Sequence, residues 1–471
     1  MIIATHTQNS TVTIIYPLTA INRRIYKILI KLQEVFMKKR AIYLALLTLS
    51  FILYTPIAMA GFTQIQKVNI DANPTYDNYD RKEIAFSQTL KTVAYPSKKD
   101  NKVHMSINGR IGENGYDCIA TITFLPSTER VAFLASKDGC KNLFWVVDGK
   151  EYSGFISAKS HAFAYSPKID RFAFVAEKEK KEFIVIDGEP QKKSYDRIDF
   201  VSYMPDGETL IYKAKEKDNE FLVINDKEQK RYKMIRDIRF SAFSDIFYLA
   251  SDGHTEFLVI NGKEQQRFAG GVNSYCFSPD SRRFITISND KKNIIVYIDK
   301  KTLKFPLMNK SRSLYCTFAP DSKSYAFIAP DSENSDKTSI FLNGEKIGTF
   351  ENILWSTNPN LLVFSPDSSK LAYVIREKDK ETLFINKEKL TTHDKFYKLL
   401  FSPDSRHIVY SYQDKEEQIG FSLGLDNKSF RNISSLSESE NGPAFIFDGS
   451  DRIRYIYEDN SGFYFIEEII N

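Results

Sequence analysis

Few residues of the types that carry out chemistry occur in this chain of 471 residues, and they are scattered. Past the first sixty positions the histidines are His104, His161, His254, His393 and His407, and the cysteines Cys118, Cys140, Cys276 and Cys316. None forms a His-x-x-x-His or Cys-x-x-Cys pair, so local spacing builds no metal centre. A Gly-x-Ser-x-Gly nucleophile elbow is also absent. Five aspartates, Asp206, Asp280, Asp321, Asp367 and Asp404, each follow a proline. Such a column suggests calcium, but calcium needs several oxygens converging on one point, whereas Asp after Pro is explained by turn chemistry. We therefore expect no metal and no cofactor.

The elements that position these residues repeat. "FSPDS" stands at Phe277, Phe364 and Phe401, and "FAPDS" at Phe318. Alignment on the proline gives Pro126, Pro167, Pro205, Pro279, Pro320, Pro366 and Pro403. Ser244 takes its place in "AFSDIFYLAS", and weaker copies fall at Gln88 and Gly449. Successive spacings are 38, 41, 38, 39, 35, 41, 46, 37 and 46 residues, the period of a four-stranded propeller blade.

Within each unit, large apolar residues stand two and four positions before the proline column, with mostly small residues between them. Two before are Phe124, Tyr165, Tyr203, Ala242, Phe277, Phe318, Phe364 and Phe401. This alternation marks a strand covered on both faces. Pro presets φ for a β-turn and Asp or Ser bonds the turn backbone, so the phrase reverses the chain into a second strand such as "RVAFLA" or "KLAYVI". A third strand, as in "EFIVIDG" or "EFLVING", ends in Asx-Gly, a tight-hairpin signal, and leads to a poorer fourth. The fold class is all-β: a propeller of about 40-residue, four-stranded blades, roughly 8 to 10 units in one continuous array, with two smaller propellers as the rival. The last unit lacks a fourth strand, and "TQIQKVNI" near the N-terminus can supply it.

The units "FSPDSSKLAYVI" and "FSPDSRHIVYSY" resemble the WD-repeat-like β-propellers of the TolB type, and the resemblance spans roughly residues 83 to 460. It implies a propeller fold. TolB-type proteins carry a separate α/β domain before the propeller, and Gly61 to Arg81 is too short to hold one. The peptidase domain that accompanies some related propellers is also missing.

Eight residues before the proline column stand Lys159, Arg197, Arg236, Arg312 and Lys395, with Cys118, Gly271 and Asn358 in the other strong units. This position starts the innermost strand, at the end of the channel opposite the turns. Five cations there would attract an anionic segment or carboxylate; mixed loops such as "EKEKKE" instead read as solvated surface. For the cysteines, Cys118 opens the first strand of its unit and Cys140 follows the second, which places them within bridging reach. We expect a Cys118–Cys140 disulfide. Cys276 and Cys316 lie on opposite faces of strands in adjacent units, where packed sheets stand about 10 Å apart, and are expected as buried thiols.

Charge is concentrated at the N-terminus. Residues 1–40 hold seven basic residues against Glu34, net +6 of the chain's +5, so the remainder is −1. "MKKR" from Met37, the uncharged apolar run Ala41 to Ala60 and its Ala-Met-Ala ending read as a secretory signal peptide, with an uncleaved membrane anchor as the rival. The expected organisation is 1–36, an upstream extension or misassigned start; 37–60, signal peptide; and 61–471, propeller. Removing the basic leader removes the case for nucleic acid. The expectation is a periplasmic or secreted protein with no membrane span after cleavage. Two functions fit: a non-enzymatic binding or scaffold protein taking a protein or peptide at the basic mouth, and a hydrolase or lyase whose site gathers residues from several blades.

Overall fold

A computed structural model describes residues 11–12, 62–68 and 84–470, apart from 158–161, 291, 300, 308–313, 332–336, 351–360, 378, 415–420, 434–444 and 460–461. The described residues form ten antiparallel blades. In chain order they cover residues 85–111 (blade 1), 118–157 (blade 2), 163–195 (blade 3), 197–228 (blade 4) and 234–268 (blade 5). They continue with 272–306 (blade 6), 316–350 (blade 7), 362–393 (blade 8), 395–433 (blade 9) and 445–469 (blade 10). Each blade begins at its innermost strand and adds strands outward in sequence order.

The last blade is completed from the other end of the chain. Phe62–Val68 pairs antiparallel with Gly462–Ile469 as its fourth strand, in the register Val68↔Phe463 to Phe62↔Glu468, and the two-residue strand Thr11–Val12 pairs on its far side. Apolar packing runs round the whole circle. Leu90 and Val93 of blade 1 meet Ile456 and Phe465 of blade 10, and Tyr397 and Phe421 of blade 9 meet Phe445 and Ile453 on its other side. The remaining seams have clusters of their own, such as Phe133 with Met105 between blades 1 and 2 and Ile285 with Cys316 between blades 6 and 7. The chain is one ten-bladed ring, and the arrangement in two smaller rings is set aside.

The repeated phrase has two jobs. In blade 9 the Ser405 N–H donates to Ser402 O at 2.8 Å with Pro403 and Asp404 between them, a β-turn, and the Ser402 N–H closes the loop on His407 O. The residue after the turn is left-handed: Ser244, Ser281, Ser322, Ser368 and Ser405 have φ between 60° and 66°. A type I turn followed by such a residue is a common hairpin loop, but Gly or Asn suits that position better than Ser. The hydroxyl supplies the second job by accepting a backbone N–H from the preceding blade. The pairs are Asp206 to Ser244 (2.8 Å), Asp280 to Ser322 (3.0 Å), Asp321 to Ser368 (2.9 Å) and Asp367 to Ser405 (2.9 Å).

Blade 5 corrects the alignment. Ser244 is the clasp serine, so the proline position there is Ala242, not Ser244. The turn closes from Ser241 N–H to Asp245 O, one residue tighter than the Ser402 to His407 closure. With Ala242 in the column the flanking spacings become 37 and 37, and the position two before it becomes Phe240. That column is then aromatic in all ten blades, from Phe86 to Phe447.

The cysteines differ in one respect from expectation. Cys118 and Cys140 are joined with Cα atoms 5.3 Å apart. Cys276 and Cys316, expected as thiols, are joined as well, with Cα atoms 5.8 Å apart. They lie on the innermost strands of blades 6 and 7. Blades converge toward the axis, so the spacing of parallel packed sheets does not apply there.

Candidate functional site

The innermost strands lead from the channel mouth to the turns. A strand of seven residues such as Arg197–Tyr203 or Lys395–Phe401 spans about 20 Å, which separates the cations at its start from the Pro-Asp turns at its end.

Of the predicted basic column, Lys159 and Arg312 lie outside the described residues. Arg197 and Lys395 each start an innermost strand, facing Lys215 and Gln413 across the first pairing. The Arg197 side chain is 58% exposed and pairs with Asp199 through Nε. Lys395 is exposed, with its ammonium 4.4 Å from the Tyr397 ring centroid. Blades 4 and 9 stand five apart in a ring of ten, so these cations occupy opposite sides of the mouth.

Arg236 does not belong to this column, because the corrected alignment moves it two residues inward. Its guanidinium makes a bidentate pair with Glu256, Nε to Oε1 and Nη2 to Oε2 both at 2.7 Å, and Nη2 also donates to Val272 O of blade 6 at 2.7 Å. It is a seam residue, with three of its five guanidinium donors bound within the fold.

Glu256 is one of a set that sequence reasoning missed. A glutamate near the start of the third strand accepts the N–H of the residue that stands seven before the proline column in the next blade. Ile198 donates to Glu182, Ile235 to Glu220 (2.7 Å), Val272 to Glu256 (2.7 Å) and Phe396 to Glu381 (2.6 Å). The signal was present in "EFIVI", "EFLVI" and "ETLFI", where the leading Glu reads as the end of a charged loop. Burial pushes the Glu381 carboxyl up to about 7, with the Phe396 N–H and the charges of Arg376 and Lys395 pulling the other way. Its neighbours differ: Glu256 holds Arg236, and Glu220 has the Lys213 ammonium at 3.5 Å.

Deeper along the channel, Arg239 of blade 5 and Lys398 of blade 9 reach across to the next blade. The Arg239 Nη1 donates to Tyr275 O at 3.2 Å and the Lys398 Nζ to Phe445 O at 2.8 Å, each cation also lying 4.5 Å from the aromatic ring of the residue it reaches. Asp237 binds Arg239 through both carboxylate oxygens at 3.0 and 3.1 Å.

The turn aspartates do not converge. Each is bound inside its own turn, as Asp367 is by the Ser365 hydroxyl at 2.6 Å, which holds its carboxyl near 2. Histidines are also dispersed: His393 bonds Asp414 and His407 bonds Asp426, both at 2.9 Å, His104 contacts Gly112 O, and His161 lies outside the described residues. Two surface clefts, about 210 Å³ beside Lys230 and Arg267 and about 430 Å³ beside Leu342 and Ile385, are lined mainly by outer strands and hairpins.

No protein-family model matches the chain, and no curated protein does. Among solved structures it is similar to a eukaryotic initiation factor at 13% identity and a TM-score of 0.42, covering 68% of this chain and 88% of that one. It is also similar to the Dos1 propeller at 10% identity and a TM-score of 0.34, covering 66% and 92%. The propeller domain of Cps50 (Swd1) from Myceliophteria thermophila gives 10% and 0.30, covering 57% and 95%. These likenesses are too distant to bear on activity or partner.

Proposed function

We propose that this protein is an exported, non-enzymatic β-propeller that binds a protein or peptide partner with an anionic segment at the mouth of its channel. The observation that carries the reading is the placement of Arg197 and Lys395: the same strand position, both exposed, on opposite sides of the ring. A small carboxylate cannot bridge a ten-bladed mouth, so a ligand that uses both cations has to be macromolecular. Export rests on the basic residues, apolar run and Ala-Met-Ala ending before Gly61.

The test is charge reversal with a defined probe. Binding of hexaglutamate, followed by calorimetry at low and high salt, is expected to weaken about tenfold in the Arg197→Glu/Lys395→Glu variant and to lose most of its salt dependence. The thermal transition should move little, since neither side chain hydrogen-bonds across a seam and Lys395 reaches Glu381 only through its charge. Unchanged affinity in the double variant would refute the mouth as the site.

A further inference from the structure

We propose that Lys398 is a carboxylate-binding residue on the channel wall, receiving an acidic side chain of the segment that Lys395 meets at the mouth. The inference rests on the mouth reading above and adds a second contact point inside the ring.

Its geometry follows from the free edge of the innermost strand, which pairs on one side only. Five residues before the proline column the carbonyl points to the second strand: Ala162 O accepts Val175 N–H and Tyr315 O accepts Ile328 N–H. Successive carbonyls of a strand alternate in direction, so the next residue turns its carbonyl to the axis. In blade 10 that residue is Phe445, whose carbonyl accepts the Lys398 ammonium at 2.8 Å. The ammonium is therefore held at the channel wall.

Among the described residues its charge has no ionic partner. An ammonium has three donors and Phe445 O takes one. That acceptor is neutral, and among the described residues no carboxylate lies within ion-pair distance of Lys398. Arg239 makes the matching reach in blade 5 but carries Asp237 with it. Other blades place Ala162, Phe200, Ser274, Tyr315 and Leu361 at the position of Lys398, so the fold does not require a cation there. Burial also pushes the Lys398 ammonium below its ordinary range, the direction expected for a cation with no counter-charge. Lys395 stands three residues earlier on the same strand, about 10 Å toward the mouth, a distance an extended acidic segment covers in three residues.

Hexaglutamate binding to the processed chain decides the matter, compared among wild type, Lys398→Met, Lys398→Arg and Lys395→Glu. Lys398→Met keeps the apolar stem and removes the charge, and is expected to bind about fivefold to tenfold more weakly. Lys398→Arg should restore binding and flatten its alkaline pH profile, because the wild-type ammonium loses its proton as pH rises and guanidinium does not. If Lys398→Met binds like wild type while Lys395→Glu is weakened, Lys398 only caps the strand edge and this proposal falls while the mouth reading stands. If wild type does not bind hexaglutamate, both fall. Should Lys398→Met fail to fold, identical alkaline profiles for wild type and Lys398→Arg overturn the proposal.

Discussion

The backbone N–H of Asp367 donates to the Ser405 hydroxyl, 2.9 Å away across the seam between blades 8 and 9. Ser405 is buried and has φ of 64°, a conformation that favours glycine. Both replacements that remove the hydroxyl strand the Asp367 N–H, but only alanine also keeps the strained backbone. Ser405→Ala is expected to cost about 2 kcal/mol, and Ser405→Gly about 1 kcal/mol less. Urea unfolding measures both, and an alanine variant as stable as wild type would show that the clasp contributes nothing.

Glu381 gives the ring a pH dependence of defined sign. Its folded value of about 7 lies above the ordinary 4.5, so between those limits the folded state holds more protons than the unfolded state. Stability from this group is therefore full below about pH 4.5, falls as pH rises to about 7, and is level above. Glu381→Gln keeps an oxygen for the Phe396 N–H and removes the titration. The variant should gain up to about 3 kcal/mol relative to wild type at pH 8 compared with pH 4.5. An equal difference between the two proteins at both pH values would contradict the assignment.

How much was legible in the sequence depended on whether a role lay within one blade or between two. The Pro-Asp turn and the Asx-Gly hairpin are local chemistry, so "FSPDSSKLAYVI" reveals a blade without its neighbours. Ser405 and Glu381 act across seams, and nothing in their own blade shows why a serine stands at a glycine position or a glutamate at a buried strand start. Blade 5 misled because "AFSD" imitates the phrase without its proline, which placed Ser244 two residues out of column and drew Arg236 into the basic set. The aromatic column closing on Phe240 was the available signal. Arg197 and Lys395 were legible as mouth cations, but their opposition across the ring needed the blade count.

Both cysteine pairs have a measurable consequence. Closing the 40 residues from Cys276 to Cys316 restrains the unfolded chain by about 4 kcal/mol at most, and the 22 from Cys118 to Cys140 by about 3 kcal/mol. The first pair also ties blade 6 to blade 7 beside the axis. Nonreducing peptide mapping of the protein should recover both cross-links, and reduction should lower the unfolding midpoint. Free thiols at Cys276 and Cys316 would restore the expectation read from sheet spacing, and cross-paired cysteines would invalidate the strand register of blade 2.

The closing strand bears on the proposed export. Phe62–Val68 begins one residue after Gly61, the expected first residue once cleavage follows Ala58-Met59-Ala60. If cleavage occurs there, as we propose, the mature chain keeps the strand that pairs with Gly462–Ile469. N-terminal sequencing of the processed protein is therefore expected to start at Gly61, and a product that keeps residues 41–60 and stays with membranes would overturn this. Deleting residues 62–68 should leave blade 10 with three strands and an open edge and lower the thermal transition, because the pairing joins the two ends of the chain beside the apolar seam of Leu90 and Val93 with Ile456 and Phe465. A deletion variant melting with the full-length chain would mean that the ring is held by its apolar seams alone.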